Sequence, residues 1–349
     1  MPVLRIITIS PKIVTDNPGI NVKTRVIAQA VIGNKTAVFE IKAMNKFERS
    51  WMLFKSSLNV ILKNKELLIF PIVTSIATIV ILLFFFAPAA LWPTGHSYFS
   101  AEHWHALGSM YFHPTHVRGH DSFGPTPIAG AYMIFLYFVS MFVATFFNVA
   151  FYNEILAALN GESVSLSRGL KFACSRWQAI VMWSLFAGVI GLIIKAIERR
   201  SGLVGSIIAR LLGAAWSIAA VFVLPVIVRD AETNNPITML KKSVGTVKQM
   251  WGEGLIGYIG IGAINSIVMI CSMVLIGGAV AVSTQWHNFW LLGFVIAGWL
   301  ISMMIWSYLM NVAGLVYKGA LFLYASEGII SQPYDQQMLD SAWRFKRGQ

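Results

Sequence analysis

The stretch "LLIFPIVTSIATIVILLFFFAPAALW" at residues 67–92 constrains the fold most, because it contains no charged residue. An α-helix rises about 1.5 Å per residue, so about 20 apolar residues cross the hydrocarbon core of a bilayer. Further apolar runs of similar length follow along the chain. The predicted spans are residues 67–92, 128–152, 178–197, 203–228, 254–283 and 288–315.

Composition supports a lipid-facing surface. The chain is 56% hydrophobic and only 12% charged, whereas a soluble domain carries about 25% charged residues. Only a few residues around 197–202 separate the third and fourth spans, which predicts a tight turn there. The sequence therefore predicts an all-α membrane protein with six transmembrane helices in three hairpins.

Amphipathic stretches lie between the predicted hairpins. In residues 46–65, Trp51, Phe54 and Leu58 recur at steps of three and four, which places them on one helical face. Similar patterns occur at 166–177, 235–251 and 332–346. We expect interfacial helices that lie on the membrane surface with their aromatic edge among the lipid headgroups.

The order of these elements indicates an internal repeat of surface helix, span, loop and span. The segments "FNVAFY" (147–152) and "MNVAGLVY" (310–317) hold corresponding places in this scheme. All the hairpins would run in the same direction, so the repeats would be parallel, related by an axis along the membrane normal.

The first 43 residues differ from the rest. Their short β-type runs are broken by Pro11, Pro18 and Gly33, whereas the pattern after Met44 is uninterrupted. We expect 44–349 to form the six-span membrane domain. Residues 1–43 are then either an extension ahead of a true start at Met44 or a short cytoplasmic tail.

The distribution of lysine and arginine predicts the orientation. Segments 44–66, 153–177, 229–253 and 316–349 together carry sixteen of them, and the opposite side of the predicted spans carries five. Positive residues are retained on the cytoplasmic side, so both termini are predicted to be cytoplasmic. This also accounts for the net charge of +12 without a nucleic-acid partner.

The segment "HPTHVRGHD" (113–121) lies in a histidine-rich loop between the first two spans. Imidazole binds zinc, nickel and copper, so this loop contains a candidate metal site. Its candidate ligands are His103, His105, His113, His116 and His120. Pro114 and Gly119 argue against a helix that would bring such spacings together, so a hydrated polar loop without metal is the alternative.

Other catalytic and cofactor signatures are missing from the sequence. It has no G-x-S-x-G, P-loop or H-E-x-x-H motif. Cys174 and Cys271 are far apart and suggest two small buried apolar side chains rather than a disulfide or a metal clamp. We therefore expect no enzymatic activity and no cofactor other than a metal in the loop.

Five blocks of sequence resemble a family of bacterial six-span membrane proteins known only as a domain of unknown function. They are "FERSW…KELLIFP" (47–71), "IERRSGLVGSIIARLLGAAWS" (197–217), "FVLPVIV" (222–228), "KKSVGTVKQMWGEGLIGYIGIG" (241–262) and "YKGALFLYASEGIISQPYD" (317–335). The resemblance covers about residues 46–346 and implies the bacterial inner membrane, with no established catalytic residues. The histidine-rich loop departs from the family pattern, which makes any metal site a local addition.

Two functions follow as hypotheses. The first is a non-enzymatic inner-membrane component whose surface helices dock onto membrane lipid or onto a protein partner at the cytoplasmic face. The second is a passive or partner-driven permease for a small solute, with a polar path near Asn148, Asn265 and Asn311. Hydrogen bonds between helices are the alternative role for these asparagines.

Overall fold

The computed structural model describes residues 46–117, 120–200, 202–249, 253–285 and 289–334. The predicted boundary at Met44 lies outside the described residues, as does nearly all of the predicted closing helix 332–346.

The described chain is almost entirely helical apart from one β-hairpin. Its helices are α1 (Lys46–Lys63), α2 (Ile69–Ala90), α3 (Ala101–Tyr111), α4 (Pro127–Leu159), α5 (Leu166–Ser175), α6 (Trp177–Arg200), α7 (Gly202–Ala219), α8 (Val223–Arg229), α9 (Pro236–Gln249), α10 (Glu253–Gln285) and α11 (Phe289–Glu327). The hairpin consists of β1 (Phe112–Val117) and β2 (His120–Pro125).

Six helical segments of the described chain are long and apolar enough to cross a membrane, as predicted. They are Lys65–Ala90, Pro127–Leu159, Trp177–Arg199, Gly205–Arg229, Ile264–Ser283 and Leu292–Glu327. Two of them run further than their apolar sequence predicts. Helix α4 continues to Leu159 rather than residue 152, and α11 to Glu327 rather than residue 315, because these extra turns are buried by other helices.

The core occupies one end of the bundle. Side chains with little or no exposure cluster in the last turns of α4 and α11, among them Val149, Ile155, Val312 and Leu323. Elsewhere the long helices expose large apolar side chains, such as Phe84 (72% exposed), Leu275 (74%) and Phe294 (76%). Water penalises so extensive an apolar surface, whereas hydrocarbon accepts it.

The fourth long segment is broken between α7 and α8. Pro225 lacks the N–H that a continuous helix would use, which favours a break one turn earlier. Ser243 of α9 stitches the break: its hydroxyl donates to the Ala219 carbonyl (2.6 Å) and accepts from the Phe222 N–H (3.1 Å). A side chain of a predicted surface helix thus completes the hydrogen bonding of a predicted span.

The apolar face of α1 packs against other helices, whereas the sequence pattern predicts that it contacts lipid headgroups. Its predicted apolar face includes Phe54 and Ile61, which are almost completely buried, and Leu62, which is 64% exposed. Phe54 packs against Trp306 of α11, with ring centroids 5.9 Å apart. The aromatic face of α1 therefore covers other helices of the protein.

The histidine-rich segment forms regular structure rather than an open loop. Helix α3 begins at the N-cap Ser100, whose hydroxyl accepts from the His103 N–H, and it leads directly into β1. The strands pair antiparallel, with His116 opposite Asp121 and Val117 opposite His120. The described residues on either side of 118–119 form strands rather than a helix, which agrees with the expectation that no helix forms here.

Candidate functional site

Polar contacts gather at one end of the bundle, which we call the polar end. It consists of α1, α5 and α9 with the last turns of α4, α8 and α11. Ion pairs link these elements: Arg168 with Glu154, Arg229 with Glu327, and Lys242 with Asp230. At this end, α1, α5 and α9 contact the ends of the long helices.

The most buried charge at the polar end is the carboxylate of Glu154 in α4, which has no exposed area. Arg168 of α5 donates to it twice, from Nε at 2.9 Å and from Nη2 at 2.7 Å. The Ser165 N–H adds a third hydrogen bond at 2.7 Å. The bonds to Glu154 raise the pKa of Arg168, although partial burial opposes them.

Gly169 lets α5 approach α4 closely. A Cβ at this position would lie 2.8 Å from the Ala150 carbonyl oxygen and 3.0 Å from Cγ of Glu154. It would also lie 3.1 Å from the ring of Phe70, which stacks on Phe151 with centroids 5.2 Å apart. The ion pair and this contact together fix α5 across the ends of α2 and α4.

Arg176, between α5 and α6, is a second buried cation, with 9% exposure. It bonds backbone carbonyls of the α8–α9 connection: Nη2 donates to Asp230 at 2.6 Å and Thr233 at 3.1 Å, and Nη1 donates to Ala231. Asp230 itself pairs with Lys242 at 2.5 Å. Partial burial opposes ionisation of Asp230, but hydrogen bonds from Lys242 and Thr233 lower its pKa overall.

A tyrosine pair joins α1 to the end of the described chain. Ser57 donates to the Leu53 carbonyl, so the hydroxyl of Tyr334 donates to Ser57 Oγ at 2.7 Å. Tyr317 of α11 packs beside Tyr334, with centroids 6.4 Å apart. The Tyr317 hydroxyl is buried and bonds no other described residue.

The outer side of α5 is apolar. This helix buries its small residues, Gly169 and Ala173, and leaves Leu166 and Leu170 half-buried and Cys174 exposed. A groove of about 450 Å³ runs along this side, lined by Leu166, Ser167, Leu170, Lys171 and Cys174. The expectation that Cys174 and Cys271 are buried is wrong, since both are exposed, because α5 rests on its small residues and α10 leaves much of its surface open.

The candidate metal ligands do not form one cluster among the described side chains. His103 is buried: its Nε2–H donates to the Ala90 carbonyl at 3.0 Å, so Nδ1 accepts from Thr94 Oγ1 at 2.6 Å. His105 and His113 are exposed. His103 and His105 lie two residues apart on α3, about 200° around the helix, so they do not converge.

Within the described residues, no group of three metal-binding side chains is close enough to hold an ion. The side chains of His116 and His120 lie outside the described part of the structure. A metal site in this segment therefore stays a prediction. In the structure, His103 joins α3 to the end of α2 through its hydrogen bond to Ala90.

The three asparagines of the predicted polar path have separate surroundings. Asn148 donates to the Ala144 carbonyl of its own helix at 2.8 Å, and Asn311 is exposed on α11. Asn265 of α10 is half-buried, and its Oδ1 bonds no other described residue. A permease path through them stays a prediction.

Sequence reasoning assigned no site role to Glu154, Arg168, Arg176 or Ser243. One signal was available for the first pair. A lone carboxylate near the end of an apolar helix needs a cation, and Arg168 lies in the first turn of the next amphipathic helix. No comparable pattern marks Arg176, because its partners are backbone carbonyls.

Comparison with known proteins gives a family but no activity. The sequence pattern of a family of unknown function (DUF6159) matches residues 128–331, more than half of the chain. No curated protein and no solved structure matches this chain.

Proposed function

This chain belongs to DUF6159, and we propose that it is a non-enzymatic, multi-pass protein of the bacterial inner membrane. In this proposal its surface helices hold anionic lipid headgroups at the cytoplasmic face. The six long apolar helices form three hairpins, and α1, α5 and α9 lie at the cytoplasmic ends of these hairpins.

The division of the molecule into two parts carries the proposal. The polar end has a buried core, ion pairs and hydrogen bonds of Ser243 that bridge the helix break. The remaining lengths of the long helices expose their apolar side chains. In the segment Lys65–Ala90 only 11% of the most apolar window is buried inside the protein. Apolar side chains exposed to hydrocarbon avoid the free-energy cost of exposure to water, so a bilayer is the environment that suits such a helix.

The charge of the polar end supports contact with anionic headgroups. Its surface helices carry exposed lysines at positions 55, 63, 171, 241 and 248. A basic residue near an anionic leaflet contributes about 1 kcal/mol of attraction. Excess lysine and arginine on this side also favours a cytoplasmic orientation.

The contacts of the most buried charges support a structural rather than a catalytic role. Glu154 accepts hydrogen bonds from Arg168 and from the Ser165 N–H. Arg176 donates hydrogen bonds to three backbone carbonyls. Their hydrogen bonds join one helix to the next, and this is the role of a scaffold that positions surface helices.

Thiol labelling tests both the membrane location and the orientation. Cys174 and Cys271 are replaced by serine, and single cysteines are introduced by Ser97→Cys and Ser163→Cys. Ser97 follows α2 and Ser163 follows α4, so they lie at opposite ends of the long helices, and both are exposed. A membrane-impermeant maleimide is applied to spheroplasts and to inverted inner-membrane vesicles.

We expect Ser97→Cys to react in spheroplasts and Ser163→Cys in inverted vesicles. The reverse pattern would contradict the orientation. Release of the protein from the vesicles by carbonate without detergent would contradict the membrane location itself.

A further inference from the structure

The groove on α5 has an unusual composition for an exposed helix surface. An amphipathic helix packed on a soluble protein buries its large apolar side chains. Helix α5 instead buries Gly169 and Ala173 and leaves Leu166, Leu170 and Cys174 along the groove. Leu166, Leu170 and Cys174 are spaced by four, so they form one apolar stripe along the helix.

The groove carries one positive charge that has no carboxylate within salt-bridge distance among the described residues. Arg168 is held by Glu154 and lies 3.6 Å from Glu162. Lys171 lines the groove, is exposed, and forms no ion pair with the described part of the chain. The groove therefore presents an apolar floor beside a single ammonium group.

The apolar stripe continues onto the outside of α6. Trp177, the first residue of α6, is 55% exposed, and Met182, Leu185 and Val189 follow with 48%, 46% and 46% exposure. Indole rings are enriched at the boundary between headgroups and hydrocarbon. The groove thus lies where the apolar surface of a predicted span begins.

We infer that the groove on α5 is a specific seat for one anionic diacyl phospholipid. Its phosphate lies against Lys171, and an acyl chain lies along Leu170 and Cys174 toward the outer side of α6. The inference rests on the proposed function, and it adds one defined lipid-binding site on α5.

Photo-crosslinking of lipid tests the seat. The protein is placed in phosphatidylcholine nanodiscs that contain a trace of phospholipid with a photoactivatable acyl chain. The headgroup of this tracer is either phosphatidylglycerol or phosphatidylcholine. Lipid adducts on residues 166–182 are measured by mass spectrometry, relative to adducts on α2 in the same sample.

We expect the adduct ratio of 166–182 to α2 to be higher for the phosphatidylglycerol tracer. Lys171→Ala should lower that ratio about fivefold, the equivalent of about 1 kcal/mol for one lysine at an anionic surface. Lys248→Ala is the matched control, because Lys248 is an exposed lysine on another surface helix, and it should leave the ratio unchanged.

Equal ratios for the two tracers, or a ratio insensitive to Lys171→Ala, would overturn the seat. Adducts on α2 would then still support the membrane location. An α2 that takes up no lipid at all would overturn the proposed function, and the seat with it.

Discussion

The carboxylate of Glu154 and the guanidinium of Arg168 form a two-bond ion pair in which the acid is fully buried and the base is 40% exposed. The pair joins α4 to α5. Because burying a carboxylate is costly unless it is paired and hydrogen-bonded, separating α5 from α4 would take the cation away from Glu154.

Replacing Arg168 by methionine should therefore destabilise the protein by about 3 kcal/mol, because it leaves the buried carboxylate of Glu154 without its cation. The double variant Glu154→Gln with Arg168→Met should recover part of this loss, since it removes both charges. Thermal unfolding in detergent micelles measures the effect. A double variant less stable than the sum of the two single variants would contradict the pairing.

Gly169 makes a second prediction at the same contact. Gly169→Ala places a Cβ 2.8 Å from the Ala150 carbonyl oxygen, so it should cost about 1–3 kcal/mol of stability. Gly245 of α9 is the matched control, because a Cβ there meets nothing within 4 Å. Gly245→Ala should be neutral or stabilising by up to about 1 kcal/mol, since alanine favours the helix. Equal melting temperatures for the two variants would contradict the close approach.

Ser243 at the break between α7 and α8 gives a third prediction. Ser243→Ala removes the partner of both the Ala219 carbonyl and the Phe222 N–H, and should cost about 1–3 kcal/mol. Ser266→Ala is the control, because that exposed hydroxyl donates to the Gly262 carbonyl of its own helix and to no other group among the described residues. A Ser243→Ala variant as stable as Ser266→Ala would show that the stitch does not hold the break.

The positions of the long helices could be predicted from the sequence because the length and hydropathy of an apolar run determine them. The rotation of α5 about its axis could not be predicted, because the sequence pattern places Ala173 and Leu170 on the same face. Which of them is buried depends on the absent side chain of Gly169. The break at Pro225 follows from local chemistry, whereas its repair by Ser243 is a contact between distant segments. His103 was predicted as a ligand from its residue type, but its ring accepts a hydrogen bond from Thr94 and donates one to the Ala90 carbonyl. Spacing alone cannot reveal these partners.

Asp230 predicts a small acid sensitivity. Its pKa is lowered in the folded protein, so its contribution to stability is present above its ordinary value of 3.8 and is lost as the pH falls through the lower folded value. Lys242 is 50% exposed, so the contribution stays below about 1 kcal/mol. Asp230→Asn should melt below the parent at about pH 7, and the difference should narrow as the pH falls below about 4. A difference that grows toward acid pH would contradict this sign.

Tyr317 and Tyr334 form a matched pair for the last prediction. Both side chains are buried, but the hydroxyl of Tyr334 bonds Ser57 whereas the hydroxyl of Tyr317 bonds no other described residue. Tyr334→Phe removes a made hydrogen bond and leaves Ser57 Oγ without its donor, so it should cost about 1 kcal/mol or more. Tyr317→Phe removes a buried polar atom that has no such bond, so it should leave stability unchanged or raise it. Thermal unfolding of the two variants measures the contrast, and a Tyr317→Phe variant as unstable as Tyr334→Phe would show that both hydroxyls hold a partner.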